Sequence, residues 1–212
     1  MTPPTYHHAV PRRALRPSAD RILSTAETLF ASKGYGEVSL RQLIAAAGIS
    51  TTAFYARFES KAAVLDKLTE NLFAELRSEA ALELRNVNSF EDGIDRGVDL
   101  LCARFGPRKQ LVRLVIAESG AFGGQPRAPG SPSSSRRRIS YTMLTGFMAH
   151  YLRALTARGR LDVADPDALA WALVGALEMQ IVRWAVWDEL DDEELAVQLR
   201  AVARAILPKE RL

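Results

Sequence analysis

Residues 39–61, Ser-Leu-Arg-Gln-Leu-Ile-Ala-Ala-Ala-Gly-Ile-Ser-Thr-Thr-Ala-Phe-Tyr-Ala-Arg-Phe-Glu-Ser-Lys, leave the chain little freedom except two short helices joined by a tight turn. Ser39 stands where a side-chain oxygen caps the first helix, and Gln42, three positions on, completes a capping box. Leu40, Leu43, Ile44 and Ala47 recur at helical spacing and form one apolar face. Gly48 supplies the positive φ that a helix stop requires. Ser50 then caps a second helix from Thr51 to Phe58. Ile49, Phe54 and Phe58 are spaced to anchor that helix to a core, which leaves Thr51, Thr52, Tyr55 and Ala56 outward. This arrangement sets a helix in a DNA major groove.

The stretch resembles the DNA-binding domain of the TetR family of bacterial transcriptional regulators. The likeness is carried by Ala47-Gly48-Ile49-Ser50, the aromatic pair Phe54-Tyr55, Phe58, and Ser60-Lys61 opening the next helix. It begins earlier, with Ile22-Leu23-Ser24-Thr25-Ala26-Glu27-Thr28-Leu29-Phe30 and Lys33-Gly34-Tyr35, similar to that family's first helix, and covers residues 20–65. Departures occur at Ile44, where a small alanine is usual, at Thr52-Ala53, where a small residue followed by threonine is favoured, and at Arg57, in place of histidine or tyrosine. The DNA contacts expected from the motif and the resemblance fall on Ser39, Arg41, Ser50, Thr51, Thr52, Ala53, Tyr55, Arg57 and Lys61. Tyr55 and Lys61 are expected on phosphates, with base preference set by Thr51, Thr52 and Ala53.

With 212 residues, 48% of them hydrophobic, the chain can bury a sizeable core in one or two domains. No apolar run is long enough to span a bilayer and no charged-then-apolar leader opens the chain, so a cytoplasmic protein without a membrane partner is expected. The single cysteine, Cys102, lies among Leu100, Leu101 and Ala103 and cannot build a disulfide framework or thiolate metal site within one chain. Of three histidines two are His7 and His8, and neither a metal spacing, a nucleophile elbow nor a glycine-rich phosphate loop occurs. No metal, no cofactor and no catalysis are therefore expected. The net charge of +3 is small, but residues 1–61 carry eight cations against four acids. One cationic end on a nearly neutral body suits phosphate attraction there.

The periodicity predicts an all-α chain of about nine helices, and no strand pattern appears. Residues 1–17, with four prolines and three arginines but no acid, read as a flexible arm. A DNA-binding domain is expected over 18–62 and a regulatory and dimerisation domain over 63–212. Helices are predicted over 18–34, 40–47, 51–58 and from Lys61 to about Arg85. Ser89 caps a fifth helix to Phe105, and Pro107 opens a sixth through Ser119. A loop rich in glycine, proline and serine follows over 120–135, with Arg136-Arg137-Arg138 opening a seventh helix. Asp165-Pro166 starts an eighth to about Trp187, and Asp191-Asp192 a ninth that stops at Pro208.

The eighth helix is apolar nearly all round, so it needs cover on more than one side. Its small residues Ala168, Ala172, Gly175 and Ala176 admit a close neighbour, and Leu195, Leu199, Val202 and Ile206 share a face of the ninth helix. Ala172, Gly175, Ala176, Leu199 and Val202 are the expected homodimer interface, a four-helix contact that the resemblance also implies. Two symmetric reading heads imply a palindromic operator in double-stranded DNA. Cys102, Phe105, Met143, Phe147, Tyr151, Trp171 and Met179 are the candidate walls of a pocket for a small apolar or amphipathic effector. His150, Glu178, Gln180 and Arg183 are its candidate polar groups. The rival reading is an architectural DNA-binding protein without effector, which would bind unrelated sequences alike.

Overall fold

A computed structural model describes residues 19–87, 89–118 and 132–207. Among these residues the chain is helical throughout, with α1 (Ala19–Lys33), α2 (Leu40–Ala46), α3 (Thr51–Tyr55), α4 (Lys61–Glu83), α5 (Phe90–Phe105), α6 (Lys109–Glu118), α7 (Pro132–Ala157), α8 (Pro166–Ala185) and α9 (Asp192–Ile206). The expected arm and most of the expected 120–135 loop lie outside the described residues. Helix α7 starts at Pro132, four residues before Arg136, because proline and serine suit a helix's first turn as well as a loop. Pro107 belongs to a 3-10 turn, Gly106–Arg108, ahead of α6. Helix α3 ends at Tyr55 rather than Phe58, with Ala56 as its C-cap.

Local chemistry starts most of these helices. Ser60, Ser89, Asp165 and Asp191 each accept a backbone N–H from the first turn that follows, as a capping side chain should. Asp191 and Glu194 close a full capping box. Gly34, Gly48 and Gly159 take positive φ where helices stop.

Apolar burial then assembles the bundle. Ile22, Ala26 and Phe30 of α1 pack with Leu43, Phe54 and Val64 at one end, and Leu65, Leu68, Leu72 and Leu76 carry the same core along α4 into the body. Trp184 of α8 is fully buried; its Nε1–H donates to Asp192 at 2.7 Å and Lys109 stands 5.0 Å over its ring. Beyond α8, Asp188 holds a left-handed φ of 53° and receives Lys109 at 3.0 Å and Arg113. Hydrogen bonds from Lys109 first and Arg113 second hold its carboxyl below the usual carboxylate range.

Two expectations about the α8 and α9 surfaces change. Leu199 is fully buried within its own chain, and Leu195 with it, because α9 turns that face onto the body. Arg200 and Arg204 along the same helix reach Asp95, Asp99 and Glu91 of α5. Leu199 is therefore not an interface residue, and Val202 is half-buried beside it. The outward strip of α9 is instead Val197, Ala201 and Ala205. On α8, Ala168, Trp171, Ala172 and Gly175 are exposed and Ala176 is half-buried. Trp171 thus faces solvent at 53% exposure, not a cavity.

Candidate nucleic-acid interface and internal cavity

The α2–α3 pair is built by its caps. The Gln42 backbone N–H donates to Ser39 Oγ at 3.2 Å, and the Ser39 N–H donates to Gln42 Oε1 at 2.8 Å. Gly48 turns the chain at φ 60°, and the Ala53 N–H donates to Ser50 Oγ at 3.1 Å. Phe54, wholly buried, pins the five-residue α3 to the core, with the Phe58 ring 6.0 Å away. Burial of this one face leaves Thr51, Thr52, Tyr55 and Arg57 exposed, together with Ser39, Arg41 and Ser50 from the flanking segments. Ala53 is half-buried. The hydroxyls of Ser39 and Ser50 already serve as caps, whereas Thr51 and Thr52 project two uncommitted donor-acceptor groups beside the Tyr55 phenol.

Lys61 has a task that its motif position does not reveal. Its ammonium donates to Tyr35 O at 2.6 Å and Val38 O at 2.7 Å, and stands 4.1 Å over the Tyr35 ring. Burial lowers its pKa, against a smaller opposing effect of Glu118. Two of its three donors thus tie the start of α4 to the α1–α2 connection, which leaves one for a phosphate. Sequence reasoning also missed Arg21, whose Nη2 donates to Gly48 O at 2.9 Å and so fastens α1 to the turn before α3. With the partners 27 positions apart, no local pattern announces that bond.

A cavity of about 220 Å³ lies among α4 to α9. Of the expected wall residues Phe105, Phe147 and Tyr151 line it; Cys102, Met143, Trp171 and Met179 do not. Cys102 and Met179 pack instead as partly buried members of the core, and burial pushes the Cys102 thiol pKa up, so the thiolate is disfavoured. The larger part of the lining comes from aliphatic side chains such as Leu76, Val98, Ile116, Leu144 and Leu177. Of the expected polar groups Glu178 reaches it, and Arg77 does so unforeseen; His150, Gln180 and Arg183 stay outside. Gly93 brings α5 close to α7 here: a Cβ at that position would lie 2.9 Å from the Tyr151 hydroxyl.

Arg108 joins the two regions. It reaches Glu27 of α1 at 3.2 Å and Glu75 of α4 at 2.8 Å, from the turn just after the cavity wall residue Phe105.

Residues 22–68 match the family model of bacterial regulatory proteins of the tetR family. The chain is 35% identical over 119 residues to the HTH-type transcriptional regulator EthR of Mycolicibacterium smegmatis, across 54% of this chain and 48% of that protein. It therefore spans about half the length of the curated relatives it matches. A TetR-family transcriptional regulator from Syntrophomonas wolfei has the same fold, with a TM-score of 0.77 and 18% identity over 89% of this chain and 93% of that one. Thermus thermophilus FadR, a TetR-family repressor solved with lauroyl-CoA, superposes with a TM-score of 0.67 at 22% identity, over 89% and 93% of the two chains. With the motif, its capped geometry and the surrounding fold in agreement, residues 22–68 are a tetR-family DNA-binding domain, and the chain around it has the fold of TetR-family regulators.

Proposed function

We propose that the protein is a transcriptional repressor that binds a palindromic operator as a homodimer and is released by a small apolar or amphipathic effector. The observation that carries this reading is α3 itself. A five-residue helix buries Phe54 and exposes Thr51, Thr52, Tyr55 and Arg57, which is a reading head with no other evident use. In this reading residues 18–62 read DNA and residues 63–212 regulate and dimerise. Thr51, Thr52 and Ala53 set base preference, Arg41, Tyr55 and Arg57 hold phosphates, and Ser39 and Ser50 keep the helices in register. Lys61 adds a phosphate contact only with the donor its two carbonyls leave spare.

The dimer interface is the exposed strip of Trp171, Ala172 and Gly175 on α8 with Val197 and Ala201 on α9. An indole and a valine lying outward beside small residues form an apolar face that a second copy would cover. Effector binding in the cavity acts through α4 and through Arg108, whose two carboxylate partners sit on α1 and α4. By linkage the effector weakens DNA binding only as far as it prefers the DNA-incompetent state, commonly about 1 to 3 kcal/mol. The FadR neighbour with its lauroyl-CoA supports the capacity of this fold to hold a ligand.

Operator selection with variants at Thr51, Thr52 and Ala53 tests the reading head. Changed base preference with an unchanged salt dependence is expected, whereas Arg57→Ala should weaken all sequences alike and lower the salt slope by about one. Unaltered preference across several substitutions at Thr51 and Thr52 would remove their role.

A further inference from the structure

The cavity is walled almost entirely by hydrocarbon, yet an arginine, Arg77, is among its lining residues. Arg77 shares the cavity-facing stripe of α4 with Phe73, Leu76 and Ala80, and it is half-buried. The other charged groups of α4 are engaged: Lys61 on carbonyls, Lys67 with Glu70, Glu75 with Arg108, Glu79 with Arg104, Glu83 with Arg96, and Asp66 in contacts of its own. Arg77, among the described residues, makes neither a hydrogen bond nor an ion pair. A guanidinium is always charged and offers five donors, so taking it partly out of water beside apolar walls is unfavourable until an anion meets it. Glu178 of α8 belongs to the same lining but has interactions of its own and is not within ion-pair distance of Arg77.

We propose that the cavity takes a monoanionic amphiphile, its hydrocarbon body enclosed by α4 to α9 and its carboxylate or equivalent head on Arg77. This rests on reading the cavity as an effector site and names the effector's chemical class. Size follows from volume: a cavity of about 150 Å³ holds benzene, so one of about 220 Å³ holds a body of roughly eight to ten carbon atoms. Arg77 is the one cationic residue among the described lining residues, so it matches a single negative charge. A planar two-oxygen head matches the fork of the guanidinium.

The test is calorimetry on the full chain, without DNA, with sodium octanoate, 1-octanol and octylamine as probes. Octanoate is expected to bind about tenfold tighter than octanol, the worth of one charge-assisted hydrogen bond, with octylamine weakest. Arg77→Met should erase that preference while octanol binds as before, which also reports that the cavity survives. Arg77→Lys should keep part of the preference. Equal affinity of the wild type for octanoate and octanol, absence of binding by both, or octanoate binding unmoved in Arg77→Met overturns the proposal. Should Arg77→Met not fold, the wild-type ranking and Arg77→Lys decide. Operator affinity is measured separately at saturating octanoate: tight, Arg77-dependent binding that leaves DNA affinity unchanged upholds the anion site and removes the effector reading.

Discussion

Alanine at Phe54 is expected to remove about 3 to 5 kcal/mol of stability and, with it, DNA binding. The ring is wholly buried and is the principal anchor of a helix only five residues long, too short to persist without tertiary cover. The ring also packs edge-on to Tyr55 at 5.6 Å and beside Phe58, so its loss frees both neighbours. Tyr55→Ala is the matched control. Its side chain is 55% exposed, so stability should move by no more than about 0.5 kcal/mol while DNA affinity falls. Thermal melts and DNA-binding isotherms on the two variants separate these outcomes. A Phe54→Ala protein that melts like the wild type and binds DNA normally would mean α3 is not held as described.

The second large effect is expected at Gly175. In the monomer this position is exposed and a Cβ there meets nothing within 4 Å, so an aspartate leaves the isolated fold undisturbed. Across a dimer contact the same charge is buried without a partner, which costs several kcal/mol, here about 3 or more. Gly175→Asp should therefore sediment as a monomer at micromolar concentration, retain its helical spectrum, and lose most of its affinity for a two-half-site operator. Ala176 is a poorer site for the same experiment because it is half-buried within the subunit, so damage to the fold would be confounded with damage to the contact. A Gly175→Asp protein that stays dimeric and folded places the interface elsewhere.

What was legible in the sequence was local. The box between Ser39 and Gln42, and the caps at Ser50, Ser89, Asp165 and Asp191, are contacts between residues two or three apart, so residue type and spacing alone disclose them. The reading helix followed from the same logic, since Phe54 and Phe58 must turn inward and Thr51, Thr52 and Tyr55 must then turn out. What was not legible was which of two available neighbours an apolar face meets. Leu195 and Leu199 mark a buried face of α9 equally well whether its cover is α5 or a second subunit, and the structure gives them to the body of their own chain. Trp171 misled for the complementary reason: an indole amid apolar residues reads as interior, but α8 has two apolar sides and this one is outward. Lys61, Arg21 and Arg77 were opaque because their surroundings are set by residues 20 or more positions away, or by several helices at once.

The central claim is that this chain reads a two-fold-symmetric DNA sequence. Selection from a random DNA pool by the purified protein, followed by competition between the enriched sequence and its scrambled counterpart at fixed salt, tests it most directly. The expected result is an enriched inverted repeat with half-site centres about one helical turn apart, bound at least about a thousandfold tighter than the scrambled duplex. Failure to enrich any repeat, with both duplexes bound alike, would contradict it.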